Sequence, residues 1–353
     1  MKYSFKIGSV WGIPIEIHLT FILLIAVVFF LSGLYPFLLM VFLFAFVVVH
    51  ELAHSLVARH YQIRVRKIIL YPIGGVSQIE EIPDKPSIEW RLAIAGPLTS
   101  FVSGGVLFAL DRIVSIEAPK VLLAPSFATA GHLMLDLAGL NVVLGAFNLI
   151  PAFPMDGGRV FRALLAERMN FSDATKYAAF IGRLLGIVIA AVGVLVNLWM
   201  VVIGMFIFIG ATEETEATIV STTLARVRVK DVMHPEVACV KPEVTLIEAL
   251  ETMFTARYHD IVLEQDNLFL GIVTWKEIVK VKPEQRSGVR VGQLPIKKVS
   301  VFSDESILEA YKTMSREKID LLPVVERQVP SRVVGVVTSE GVAYALEKAK
   351  TLR

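Results

Sequence analysis

Three side chains that could do chemistry fall within five residues: His50, Glu51 and His54 form H-E-x-x-H inside the run VVVHELAHS. On a helix, residues four apart share one face, so both imidazoles can reach a single ion. Neutral imidazole nitrogens suit zinc, which binds them at roughly 2.0–2.1 Å. Glu51 lies beside that face, placed to take a proton from a metal-bound water whose pKa zinc lowers to about 7. A short pattern of this kind also arises by chance, and a lone histidine in an apolar helix is usually a satisfied core residue. The setting argues for chemistry here. No residue from Leu19 to Val49 is charged, and an ionised group in mid-membrane costs about 2.5 kcal/mol or more. Placement near the end of the helix reduces that cost without removing it.

Two histidines leave a catalytic zinc one protein ligand short. Asp156 follows the apolar segment FNLIPAFP, in which Pro151 and Pro154 break the helix, and Gly157–Gly158 allow a sharp turn. A broken helix is tolerated at membrane depth where it lines a cavity, and an aspartate on such a break can reach a metal on a neighbouring helix. Asp136 is the rival. The topology below puts it near the outer end of its helix with His132 one turn earlier, so a helix-end polar pair is its expected role.

The elements that must carry these residues are apolar helices. Of 353 residues, 55% are hydrophobic and 19% charged, with mean hydropathy +0.64, against roughly 25% charged in ordinary soluble proteins. The opening segment alternates like short strands and lacks the cleavage site of a signal peptide. A first helix is expected at about 17–33 and a second at about 37–59, with Gly33, Tyr35 and Pro36 at the turn. Further helices are expected at 92–110 and 131–149. Tyr177–Thr212, whose single charge is Arg183, should give two short spans turning at Asn197. The fold class is therefore a polytopic α-helical membrane domain of about six spans over residues 1–215, with both termini on one side. Basic residues follow the second helix (Arg59, Arg64, Arg66, Lys67) and the fourth (Arg159, Arg162, Arg168), while Arg112 and Lys120 outside are balanced by Asp111 and Glu117. The positive-inside rule then makes the termini and the C-terminal part cytoplasmic, in a multi-pass protein of the cell membrane.

After Glu213 the composition turns soluble, and a repeat appears. VKPEVTLIEALETM (240–253) answers VFSDESILEAYKTM (301–314), HDIVLEQ answers IDLLPVVER, and GIVTWKEI answers GVVTSEGV. This helix–strand–strand–helix pattern resembles a tandem CBS (cystathionine-β-synthase-type) pair, an α/β domain over 226–350 with repeats at about 226–281 and 288–348. The net charge of +2 argues against a nucleic-acid partner. The single cysteine, Cys239, can form neither an internal disulfide nor a multi-cysteine metal site, and reads as a small buried apolar side chain. His18, His60, His234 and His259 read as ordinary.

HELAH, AGPLTS (95–100) and NLIPAFPMDGGR resemble the three signatures of the site-2 protease family, in the family's order. With the CBS-like tail, the chain is similar to the archaeal and bacterial branch that carries such tails. The resemblance implies an intramembrane zinc metalloprotease that cleaves transmembrane protein substrates within the lipid bilayer, as in regulated intramembrane proteolysis. It implies Zn2+ on His50, His54 and Asp156, with Glu51 as general base. Asn148 would hydrogen-bond the scissile carbonyl or its oxyanion, and bonding to backbone freed by the broken helix is its other role. It implies a membrane-embedded hairpin between the second and third helices, where IGGVSQI (73–79) sits and whose edge can pair with an unwound substrate strand.

The CBS resemblance implies an adenine nucleotide near Thr274, Glu277 and Thr338, and regulation of the protease. The acid expected three residues after the threonine is Glu277 in the first repeat but Gly341 in the second. A structural tail, or one that forms a homodimer, is the alternative. CBS pairs also hang from channels and transporters, so transport is the rival class, and the combination of H-E-x-x-H with the D-G segment separates the two.

Overall fold

The structure is a computed structural model that describes residues 3–79, 85–117 and 125–351. The chain forms two compact units, Met1–Glu216 and Ala217–Arg353.

The first unit opens with the expected strands, β1 (Ser4–Val10) and β2 (Ile13–His18), paired antiparallel. Their turn places Trp11 and Gly12 at φ 49° and 80°, the left-handed values that a tight two-residue hairpin needs. Helices α1 (Leu19–Ser32) and α2 (Leu34–His60) follow, separated by Gly33 at φ 84°. Next come β3 (Val65–Tyr71) and β4 (Gly74–Ile79). The sheet order is β1-β2-β3-β4, with β3 parallel to β2 and β4 at the edge. The helices α3 (Pro86–Glu117), α4 (Pro125–Asn148), α5 (Asp156–Ala166), α6 (Phe171–Val196) and α7 (Leu198–Arg226) complete the series.

Among the described residues, four helices are long and apolar enough to cross a membrane: α2, the Pro86–Val114 part of α3, α6 and α7. The other two of the six expected spans are shorter. α1 has 14 residues, about 21 Å at 1.5 Å per residue, against roughly 30 Å of hydrocarbon. Leu133–Asn148 of α4 is likewise a short apolar helix. The last two spans are longer than expected, because Asn170 caps α6 early and α7 runs on through Glu213, Glu214 and Glu216. Asn197 marks their turn and accepts the Trp199 N–H at 2.9 Å. The outer faces are apolar and uncovered, as at Phe30 (81%), Leu31 (82%) and Leu195 (87%). Only lipid or another apolar surface satisfies such faces. Small residues lie buried where α6 meets its neighbours, among them Ala178, Ala179 and Gly186, as in close-packed membrane helices.

The second unit holds β5 (Cys239–Val240), α8 (Leu246–Ala256), β6 (Asp260–Gln265), β7 (Leu268–Thr274) and α9 (Trp275–Val279) in its first repeat. The second repeat supplies β8 (Val301–Phe302), α10 (Ile307–Glu317), β9 (Leu321–Glu326), β10 (Val329–Thr338) and α11 (Ser339–Thr351). Each forms a three-stranded sheet, β5-β6-β7 and β10-β9-β8. Each repeat is completed by the segment preceding the other. Arg228 and His234 bridge to Ser306 and Val336, while Arg290 and Lys297 bridge back to Thr245 and Ile272. The Cys239 thiol is pushed up to about 12 by burial and the neighbouring Glu264 carboxylate, so no thiolate is available for chemistry at neutral pH.

Candidate metal centre

α2 presents His50 and His54 on one face, both buried, and the break after α4 brings Asp156 against them as the first residue of α5. His50 Nε2 lies 3.1 Å from His54 Nε2, and each nitrogen lies 3.2 Å from Asp156 Oδ2. Three donors at the corners of a near-equilateral triangle suit a metal. Ligand atoms of a tetrahedral site with 2.0–2.1 Å bonds stand about 3.3 Å apart. The centre of the site is kept clear as well. A Cβ added to Gly96 on α3 would overlap the Nε2 atoms of both histidines, so only glycine leaves room for them there. Two imidazoles and a carboxylate are a catalytic zinc donor set, and these residues fit that ion.

The remaining imidazole nitrogens are engaged by α3. His54 Nδ1 donates to the Leu92 carbonyl at 2.7 Å, and His50 Nδ1 lies 2.9 Å from Ser100 Oγ. The first bond puts the proton on Nδ1 and leaves Nε2 a lone pair for a metal. α5 folds closely against the broken segment before it because of its glycines. A Cβ at Gly157 would overlap the Leu149 and Ile150 carbonyl oxygens, and one at Gly158 would come 2.6 Å from Phe153 N. Asp156, in the first turn of α5, also sits where a helix favours negative charge.

Glu51 points to the sheet. Its Oε2 accepts the Ser77 hydroxyl at 2.7 Å and the Ser77 N–H at 3.1 Å. Asn148 Nδ2 donates to Leu144 O at 3.0 Å, one turn back on its own helix. Asp136 accepts a hydrogen bond from Tyr35 Oη. Tyr35 is 15 residues before His50, about 22 Å along α2, so Asp136 stands apart from the triad. Its partner at that end is Tyr35; the side chain of His132 lies outside the described residues.

Sequence reasoning singled out AGPLTS and IGGVSQI but gave no supporting role to Gly96 and Ser100 on α3 or to Ser77 on β4, and it missed Leu92 altogether. It counted Arg162 only among the basic residues that follow the fourth helix. Arg162 is buried on α5, paired with Glu89 of α3 and with Glu214 of α7 at 2.7 Å, its guanidinium near the rings of Phe153 and Phe171.

In the second unit a cleft of about 450 Å3 is lined by His234, Tyr258, His259, Asp320, Thr338 and Glu340, among others. His234 and His259 thus face a cavity, which their sequence context did not signal. Thr338 Oγ1 accepts the Gly341 N–H at 3.1 Å. Thr274 and Glu277 do not line this cleft. Thr274 is buried as the cap of α9, and Glu277 accepts from Lys280 Nζ at 2.6 Å.

The sequence model of Peptidase family M50 matches residues 38–117 and 112–189, and that of the CBS domain matches 229–284 and 291–348. A zinc metalloprotease of Methanocaldococcus jannaschii is 35% identical over 320 residues, covering 89% of this chain and 89% of that protein. Rip3 of Mycobacterium tuberculosis, whose name places it among zinc metalloproteases, is 29% identical over 87% of this chain and 79% of its own length. Among solved structures, the site-2 protease from Methanocaldococcus jannaschii shares 39% identity, covering 60% of this chain and 95% of that one with a TM-score of 0.46. An identity of 35% sustained over nearly nine-tenths of both proteins is decisive: the chain belongs to Peptidase family M50 and carries a tandem pair of CBS domains.

Proposed function

We propose that the chain is an intramembrane zinc metalloprotease that hydrolyses peptide bonds of transmembrane protein substrates within the bilayer. The observation that carries this reading is the triangle of His50, His54 and Asp156, with donors 3.1–3.2 Å apart beside a glutamate. Those three residues would hold the zinc. When bound there, it supplies Lewis acidity, which polarises a carbonyl and makes water a nucleophile near neutral pH. Glu51 accepts the proton of the attacking water and returns it to the leaving amine. Asn148 turns to the developing oxyanion once it leaves its helix bond to Leu144. The edge of β4 receives the unwound substrate as an added strand, since a helical segment hides its carbonyls in hydrogen bonds.

The termini and the CBS pair lie on the cytoplasmic side in this reading, the side on which Arg59, Arg64, Arg66 and Lys67 cluster. The CBS pair regulates the protease by binding an adenine nucleotide in the cleft at Thr338, whose volume falls within the usual range for small-molecule sites. Thr274 and Glu277 would serve an equivalent site in the first repeat, and a homodimer through the CBS units would bring such sites together.

Metal content and cleavage of a model transmembrane substrate in detergent test the protease reading, comparing wild type with Glu51→Gln. Near one zinc per chain in both, with cleavage by wild type alone, is the expected result. Cleavage by the variant removes the base assignment, and the absence of zinc from both removes the protease. Calorimetric titration of the full chain with ATP, ADP and AMP tests the cleft, and no heat with any of them rules out nucleotide sensing.

A further inference from the structure

The bonds that hold Glu51 come from a strand whose outer edge pairs with no other strand among the described residues. β4 follows β3 through the two-residue turn Pro72–Ile73, with Tyr71 opposite Gly74. In such a hairpin the closing pair exchanges hydrogen bonds, and thereafter every second pair does. Tyr71–Gly74 and Ile69–Val76 are therefore the ladder pairs, and the N–H groups of Gly75 and Ser77 point away from β3. As β4 is the last strand of its sheet among the described residues, no other described strand takes them. Instead Glu51 takes one: its Oε2 accepts the Ser77 N–H at 3.1 Å as well as the hydroxyl at 2.7 Å. The close approach of α2 to this strand allows it, for a Cβ at Gly75 would come 2.6 Å from Glu51 Cγ.

We infer that Ser77 is the positioning residue of Glu51, and that its backbone N–H is contested between Glu51 and an incoming substrate strand. The inference rests on the proteolytic reading of the site. Without substrate, the two Ser77 donors park the carboxylate on the sheet edge. A peptide strand adding to β4 needs outward N–H groups for its own carbonyls, and the Ser77 N–H is one of them. Its arrival displaces Glu51 from that donor. The carboxylate keeps only the hydroxyl bond and gains freedom to turn toward the attacking water. Strand addition and release of the base are then one event, so the base is withheld until a peptide lies in place.

The test is binding without turnover. Full-length, zinc-free protein in detergent is titrated with a dye-labelled eight-residue Val/Thr peptide. Glu51→Ala should bind the peptide about fivefold more tightly than wild type, because a hydrogen bond no longer competes for Ser77. Adding Ser77→Pro should abolish that gain, since proline lacks the N–H yet is tolerated at an outward edge position. Ser77→Ala, which keeps the N–H, guards against a misfolded proline variant and should bind at least as well as wild type. Amide exchange supplies a second readout: the Ser77 N–H should be protected in peptide-free wild type and exchange freely in Glu51→Ala. Equal peptide affinity in wild type and Glu51→Ala, no binding by either, or equal Ser77 exchange in both overturns the inference. None of these readings uses zinc or cleavage, so failure of the protease reading shows separately, in the metal and cleavage assays.

Discussion

Arg162 and Glu89 form a buried ion pair that ties the helix carrying Asp156 to the helix that supports both histidines. Arg162 Nε donates to Glu89 Oε1 at 2.8 Å, and the two residues are 7% and 1% exposed. Glu89 Oε2 has no hydrogen-bond partner among the described residues, so Arg162 is the main compensation for that charge. Removing one partner of a buried pair costs about 3–5 kcal/mol, because the other is left uncompensated. Arg162→Gln should therefore lower the thermal unfolding temperature and, where still folded, bind zinc more weakly in a chelator-competition assay. Arg162→Lys should fall between, as it keeps charge but loses the fork. Wild-type stability in Arg162→Gln would show that the pair does not hold α5 in place.

Gly96 separates occupancy of the site from stability of the helix. Inside a helix, glycine to alanine is favourable by about 1 kcal/mol from propensity alone. At this position the new methyl would overlap the Nε2 atoms of His50 and His54. Gly96→Ala should remain folded by circular dichroism while its zinc content falls from near one per chain toward zero. Full zinc content in a folded variant would mean that the histidines point elsewhere when metal is bound.

Ser100 orients His50 from behind, at 2.9 Å from Nδ1. Groups of this kind behind a metal-binding imidazole typically contribute 10–100-fold in affinity. Ser100→Ala should weaken zinc binding by about tenfold, whereas Ser100→Thr, which keeps the hydroxyl, should recover most of it. An unchanged affinity in the alanine variant would leave His50 oriented by packing alone.

The pattern that brings His50 and His54 onto one face was legible because three ionisable groups interrupt a long apolar run. Asp156 was legible from the prolines and glycines around it, which mark a broken helix. Their supports were not. Leu92 acts through a carbonyl, which side-chain identity does not encode. Ser77 and Ser100 lie 26 and 50 residues from the side chains they hold, and no periodicity marks a serine that meets a distant helix. Charge counting did not reveal the ion pair of Arg162, since a basic residue after an apolar segment looks the same whether it faces water or a buried glutamate. α5 went unseen for a related reason: its 11 residues mix charge and apolar side chains and read as a loop. The repeat gave the two α/β halves of the second unit, but not that each is completed by the segment before the other.

Asp260 joins those two halves and carries a pH dependence of defined sign. It is buried at the start of β6, where Oδ1 accepts the Trp275 N–H at 3.1 Å and Oδ2 the Asp320 N–H at 2.8 Å. Burial outweighs these bonds and holds its carboxyl above the ordinary carboxylate range. A carboxyl raised in the fold binds its proton more tightly when folded than when unfolded, so its ionised form costs stability. That cost is absent below the ordinary value near ~3.9 and fully present above the raised one. Asp260→Asn escapes it, while losing one acceptor. The variant should be less stable than wild type at acid pH, and the gap should narrow as pH rises to neutrality. Calorimetric unfolding of the C-terminal unit in the full chain, run at both pH values, reads this difference directly. A gap that widens toward neutral pH would mean that the ionised carboxylate is the form the fold prefers, with its two backbone bonds outweighing burial.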